Sequence, residues 1–263
     1  MPQDAVVLVN RESGVVHVTM NRPERKNAAN GAMWNALLEV FREVASNSSD
    51  RVMVLTGAGG AFCSGADIAD PSGVGGHLGD PHLVRMRFLG EVMLALRQVP
   101  KPTIAKVGGV AAGAGASLAF GCDLIVASQG ARFSEIFARR GLSLDGGSSW
   151  LLPRMVGLHR AKELAFFGEM LSAAEAAEFG LVNRVVPEEE LDAFVDGWAA
   201  RLAAGPPLAL SMTKTLLDNS HAVSMAQALE DEARCQAVNF ATSDTSEAMR
   251  AFVEKREPRF EGR

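Results

Sequence analysis

The chain has 263 residues, enough for one sizeable core or a core with an appended helical element. Hydrophobic residues make up 48% and charged residues 22%, which is the balance of a globular protein and not of a disordered or fibrous one. A formal charge of −5 argues against nonspecific nucleic-acid binding, yet leaves room for an anionic ligand held by a local basic patch.

Cys63, Cys122 and Cys235 are far apart and odd in number. They have neither metal-type spacing nor the look of a disulfide framework, so a reducing, cytoplasmic setting fits best. The first residues do not place a basic stretch before an apolar one, and every apolar run is broken by glycine or charge. Neither a secretory signal nor a membrane span is expected.

In chain order, residues 5–10 and 14–20 are β-branched and separated by a turn, and predict a hairpin. Met33, Leu37, Leu38, Phe41 and Val44 recur at helical spacing after Asn30, a good N-cap. A short buried strand is expected at 52–55. The stretch 71–82 holds two prolines and four glycines and reads as a mobile surface loop, followed by a helix near 83–98. A strand at 100–107, a tightly packed helix at 113–121 and a strand at 123–127 complete an α/β pattern. From about 158 the spacing is helical, over 160–168, 173–179, 188–204, 207–219, 224–240 and 244–255. One strand, near 181–186, interrupts it.

Two small-residue turns stand out. Residues 107–117 read V-G-G-V-A-A-G-A-G-A-S, and residues 63–67 read C-S-G-A-D. Where a strand turns into a helix through such residues, the first N–H groups of the helix have no acceptor within it and can donate to a ligand oxygen. Two such turns aimed at one point make an oxyanion hole; each alone is better read as a close-packing turn. Neither G-x-G-x-x-G nor G-x-S-x-G is present. Between Pro81 and Asp123 the only carboxylate is Glu91, and between Asp123 and Glu163 there are only Glu135 and Asp145. Asp145 precedes Gly146-Gly147 and reads either as the cap of a helix starting near Ser148 or as a partly buried base. None of His17, His77, His82, His159 and His221 has the spacing of a ligand set or triad, and Ser117 has no evident base.

Several blocks, in order, resemble one family. They are N-R-P-E-R-K-N-A at 21–28, G-A-G-G-A-F-C-S-G-A-D-I at 57–68, K-P-T-I-A-K-V-G-G-V-A-A-G-A-G-A-S-L-A at 101–119, C-D-L-I-V-A at 122–127, G-G-S-S-W-L-L-P-R at 146–154 and A-F-V-E-K-R-x-P-x-F at 251–260. The family is the crotonase superfamily of enoyl-CoA hydratases and isomerases, and the resemblance spans almost the whole chain. It implies an α/β fold: a crotonase-like spiral of repeated ββα units with a C-terminal α-helical trimerisation region. The expected division is a core with the acyl-CoA site over 1–198 and a helical region for oligomerisation and CoA contact over 199–263. The implied partner is an acyl-CoA substrate in a homotrimer or dimer of trimers, with no nucleic acid, membrane, metal or separate cofactor.

Carried over by position, the oxyanion donors fall on the backbone N–H groups of Ala66 and Ala114, the second usually glycine in the family. Arg25, Lys26 and Ala28 meet the nucleotide end of CoA, and Asp67 and Ile68 line the adenine side. Gly113 and Phe137 are further acyl-CoA-binding positions, Phe137 in the acyl pocket. Phe252 and Lys255 reach CoA from a C-terminal helix, of this subunit or a neighbour. With Arg22 and Arg256 the basic residues form a rim, in which those two are better read as solvated surface.

The two glutamates by which family hydratases activate water fall on Ser117 and Phe137, neither an acid nor a base. Glu135 lies two residues from the second position and, along a strand, on the same face. Asp145 matches the catalytic aspartate of family isomerases and of chlorobenzoyl-CoA dehalogenases. The resemblance therefore favours enoyl-CoA isomerisation with Asp145 as acid/base. Hydration through Glu135 or Asp145, dehalogenation, and a catalytically silent acyl-CoA-binding or scaffold subunit are the alternatives. The helix at 83–98 has only Arg85, Arg87 and Arg97, too few for the RNA-binding role of some relatives.

Overall fold

The computed structural model describes residues 5–70 and 81–263. Most of the proline- and glycine-rich stretch expected as a loop, with His77, lies outside the described residues.

β1 (Val7–Glu12) and β2 (Val15–Met20) form the expected antiparallel hairpin. Ser13 and Gly14 turn it, both with positive φ, as a tight two-residue hairpin turn requires. α1 (Gly31–Ser46) starts on Asn30, whose side chain accepts the N–H of Met33, and it buries the helically spaced residues from Met33 to Val44. β3 (Val52–Gly57), α2 (His82–Arg97) and β4 (Thr103–Val107) follow.

The chain does not pass straight from β4 into a helix. A three-residue strand, β5 (Val110–Ala112), intervenes before α3 (Ala114–Gly121). Next come β6 (Leu124–Ser128), a second short strand β7 (Arg132–Ser134), and α4 (Ser148–Phe167), which begins at the expected Ser148, runs on into the helix expected at 160–168 and is interrupted at Gly157. β8 (Leu171–Ser172), α5 (Ala173–Glu178), β9 (Arg184–Val186), α6 (Leu191–Ala203), α7 (Pro207–Asn219), α8 (Met225–Phe240) and α9 (Ser243–Glu254) complete the chain.

The strands form two sheets, ordered β1-β2-β3-β4-β6-β9 and β5-β7-β8. Beyond the first hairpin, every pairing in the large sheet is parallel. A ββα repeat is visible: β4–β5–α3 and β6–β7–α4 each place the first strand in the large sheet and the second in the small one. Alternation along the central strands serves two cores. Met53 and Leu55 face the main core with α1 and α2, while Val52 and Val54 face a smaller core under α6 with Ile104, Val126 and Val195. α6 packs on the large sheet and crosses the expected 198/199 boundary. α7 and α8 bury no residue, and Leu217, Met225, Leu229 and Phe240 are exposed on them. Among the described residues no helix is long and apolar enough to cross a membrane.

Candidate active site

The two small-residue turns meet. Phe62 and Cys63 both donate their N–H to the carbonyl of Val110, each at 3.0 Å, and Ala112 donates to the carbonyl of Cys63 at 3.0 Å. A Cβ on residue 115 would sit 2.1 Å from the Cys63 carbonyl oxygen, so only glycine lets α3 approach this closely. Gly113, with φ 53° and ψ −129°, makes the turn from β5 into α3, a conformation closed to side chains.

The N–H groups of Ala66 and Ala114 are left without acceptors for separate reasons. Ala29 bonds to both neighbours of Ala66: it donates to the carbonyl of Gly65 at 2.8 Å and accepts from Asp67 at 2.9 Å. In a parallel bridge of this kind the middle residue turns its own N–H the other way. Ala114 is the first residue of α3, where no intrahelical acceptor exists. Neither N–H finds an acceptor among the described residues. Both alanines line a cleft of about 800 Å³, which gathers Arg25, Ala28, Asp67 and Ile68 from the first turns with Gly113, Phe137 and Asp145 from the second half.

Three expected contacts do not reach this cleft within the chain. Lys26 is exposed at the left-handed end of a short 3-10 turn and is not among the residues lining the cleft. Phe252, 84% exposed, and Lys255 stand at the end of α9, outside the cleft lining. The basic rim also shrinks. Arg22 is not solvated surface: it pairs with Asp67 at 2.9 Å and donates to the carbonyl of Ala28, bracing the strand segment that carries Ala66. Arg256 is neutralised by Glu247 and Glu254. Arg140, which the sequence reading passed over, lines the cleft with Arg25.

Asp145 does not cap α4. The N-cap is Gly147, no side chain caps the helix, and Asp145 contributes only its backbone carbonyl, which accepts from Ser148 N at 3.1 Å. Residues 142–145 have irregular backbone. Its Oδ1 is buried without a hydrogen bond. Burial raises the carboxyl from 3.8 to about 6, because desolvation penalises the charged form.

Glu135 is buried, 3% exposed, and does not line the cleft. β7 ends at Ser134 and a 3-10 helix runs over Ile136–Arg140, so the strand alternation expected to align Glu135 with Phe137 fails: Phe137 lines the cleft and Glu135 does not. Glu135 Oε1 accepts from Ser148 Oγ at 3.0 Å and Oε2 has no partner. Burial, and then the charge of Asp145, push this carboxyl up to about 8 against the Ser148 hydrogen bond. Ser117, fully buried, has its hydroxyl 2.9 Å from that of Ser148. The sequence marked Ser148 only as a helix start, and only the three-dimensional packing of α3 on α4 brings it to Ser117.

Two unpaired N–H groups at a cleft wall suit an oxygen that gains negative charge, and a desolvated carboxylate nearby suits removal of a weakly acidic proton. Among the described residues no cluster of three or more His, Cys, Asp or Glu side chains is arranged to hold a metal ion.

The model of the enoyl-CoA hydratase/isomerase family matches residues 10–263. A 1,2-epoxyphenylacetyl-CoA isomerase of Escherichia coli is 38% identical over 261 residues, 98% of each chain. A short-chain-enoyl-CoA hydratase of Clostridium acetobutylicum is 33% identical over 255 residues, 95% of each. The crystal structure of an enoyl-CoA hydratase from Bacillus anthracis superposes with a TM-score of 0.92 at 30% identity, covering 98% of this chain and 100% of that one. In fold, in sequence along almost its whole length and in the meeting of its two glycine-rich turns, the chain belongs to the enoyl-CoA hydratase/isomerase family of crotonase-fold enzymes.

Proposed function

We propose that the protein moves the double bond of an enoyl-CoA, with Asp145 as its one acid/base. The thioester carbonyl oxygen accepts from the N–H groups of Ala66 and Ala114. Asp145 takes a proton from the acyl chain, the electron pair of that C–H bond passes into a dienolate, and the two N–H groups hold the oxygen's charge. The carboxylic acid then returns the proton to another carbon. A carboxyl titrating near 6 is ionised at neutral pH and more basic than an ordinary aspartate, the compromise such a base needs.

The observation that carries this reading is the unpartnered, desolvated carboxylate of Asp145 in a cleft where the two water-activating glutamate positions are occupied otherwise. Ser117 is fully buried and bonded to Ser148, and Phe137 presents an aromatic ring. Hydration of a 2-enoyl-CoA is the second reading, favoured by the relatives named as hydratases. A silent acyl-CoA-binding subunit is the third. On the leading reading Arg25 and Lys26 attend the CoA phosphates, and Phe252 and Lys255 reach CoA in a neighbouring copy of a homotrimer or dimer of trimers. The exposed apolar residues of α7–α9 support such assembly. A cytoplasmic location accords with three free cysteines.

Proton NMR of the protein with crotonyl-CoA and with a 3-enoyl-CoA in deuterated water separates the readings. Isomerisation moves the double bond or exchanges acyl protons. Appearance of a 3-hydroxyacyl product alone refutes the proposal in favour of hydration, and absence of turnover with binding intact supports the silent subunit.

A further inference from the structure

Glu135 is a buried acid that the mechanism above does not use. Its Oε1 lies 3.0 Å from Ser148 Oγ, which lies 2.9 Å from Ser117 Oγ, which in turn lies 3.3 Å from the carbonyl oxygen of Asp145 and 3.2 Å from that of Gly113. A hydrogen-bonded chain thus runs from Glu135 to the backbone of the base and to the glycine before Ala114. Its direction depends on one proton. With Glu135 neutral, its O–H donates to Ser148, Ser148 to Ser117, and Ser117 to the carbonyl of Asp145 or Gly113, so every proton has an acceptor. With Glu135 ionised, Ser148 must donate to the carboxylate and Ser117 to Ser148, and both carbonyls lose that donor. The left-over Oε2 is a weak acceptor in the acid but half of a buried charge in the anion, and a buried charge without a partner is the costlier state.

We propose that Glu135 is a positioning residue for Asp145: as a neutral acid it braces the Asp145 and Gly113 carbonyls through Ser148 and Ser117, and on ionising it reverses that chain and sets a second negative charge beside the base. The elements around it leave little else to compensate. α3 has no titratable side chain, α4 offers Ser148, and the 3-10 turn offers Arg139 and Arg140, both exposed. Asp145 is the charged group whose field acts on Glu135. The inference rests on the isomerase reading for its kinetic consequence, but not for its structural one.

The test has two arms. In the first, acyl-proton exchange is followed against pH for wild type, Glu135→Gln and Glu135→Leu. Wild type rises through the titration of Asp145 and falls roughly tenfold as pH passes about 8. Glu135→Gln, whose amide N–H donates to Ser148 but cannot ionise, keeps the acid limb and lacks the alkaline one. Glu135→Leu, which empties the chain, loses about tenfold in kcat across the range with KM little changed. An alkaline fall that persists in Glu135→Gln overturns the proposal. In the second arm, carbon NMR titrates the carboxyl groups of the free protein without substrate. The Asp145 carboxyl shows its main inflection near 6 and a smaller one near 8, and Glu135→Gln removes the second. A Glu135 carboxyl that titrates below 5 overturns the proposal even where no acyl-CoA is turned over, so its failure is distinct from failure of the isomerase reading.

Discussion

Keeping a carboxylate out of water for chemistry should weaken the fold, and Asp145→Asn measures by how much. The substitution preserves shape and removes the charge. Burial lifts the carboxyl from 3.8 to about 6, which amounts to about 3 kcal/mol against the ionised folded state. The asparagine amide meets the same lack of partners at the buried Oδ1, which takes back about 1 kcal/mol. The sign follows from the raised value. The folded group holds its proton more tightly than the unfolded one, so wild type loses stability as pH climbs from about 4 to about 6 and nothing further from this group above that. The variant's advantage should therefore grow by about 2 kcal/mol between pH 4.5 and pH 7.5. Urea unfolding at the two pH values, at one protein concentration because an oligomer's stability depends on it, gives the comparison. A difference between variant and wild type that does not change with pH would mean that the Asp145 carboxylate is well solvated, and would refute the desolvation on which its role as base depends.

Two further perturbations address the neighbouring parts. Ala114→Pro removes one N–H at the first position of α3, where proline is tolerated, and should lower exchange by about 10²–10³ with the far-UV circular dichroism preserved. Retained activity would exclude that N–H as a donor. Arg22→Met strands the Asp67 carboxylate, only 9% exposed in its side chain, and should cost about 3 kcal/mol in denaturant unfolding; a loss below about 1 kcal/mol would mark the pair as ordinary surface.

The elements written in periodicity were legible in the sequence. Asn30 announced α1 and then capped it; β2 through β4 followed from short apolar runs bounded by glycine and proline. The short strands β5, β7 and β8 were not legible, because two or three residues are too few to display alternation and their partners are distant in the chain. That omission had consequences. Without β5, the oxyanion turn read as strand into helix; without the end of β7 at Ser134, Glu135 and Phe137 seemed to share a face. The helix expected near Ser148 does begin there, but its continuity with the helix expected at 160–168 was not legible, because Gly157, with φ 74°, breaks the periodicity between them. Arg22 was misjudged for another reason: charge shows in a sequence, but its partner Asp67, 45 residues on, does not. The positions of Ala66, Ala114 and Asp145 came from the resemblance, and local residues alone left Asp145 open between cap and base.

The rate of acyl-proton exchange from a 3-enoyl-CoA in deuterated water, wild type beside Asp145→Asn at pH 7.5, bears most directly on whether Asp145 is the base. Loss of about 10³-fold or more, with acyl-CoA binding retained, is the result expected if Asp145 alone carries the proton. A variant that exchanges within tenfold of wild type would contradict that role and move the search for the base to Glu135.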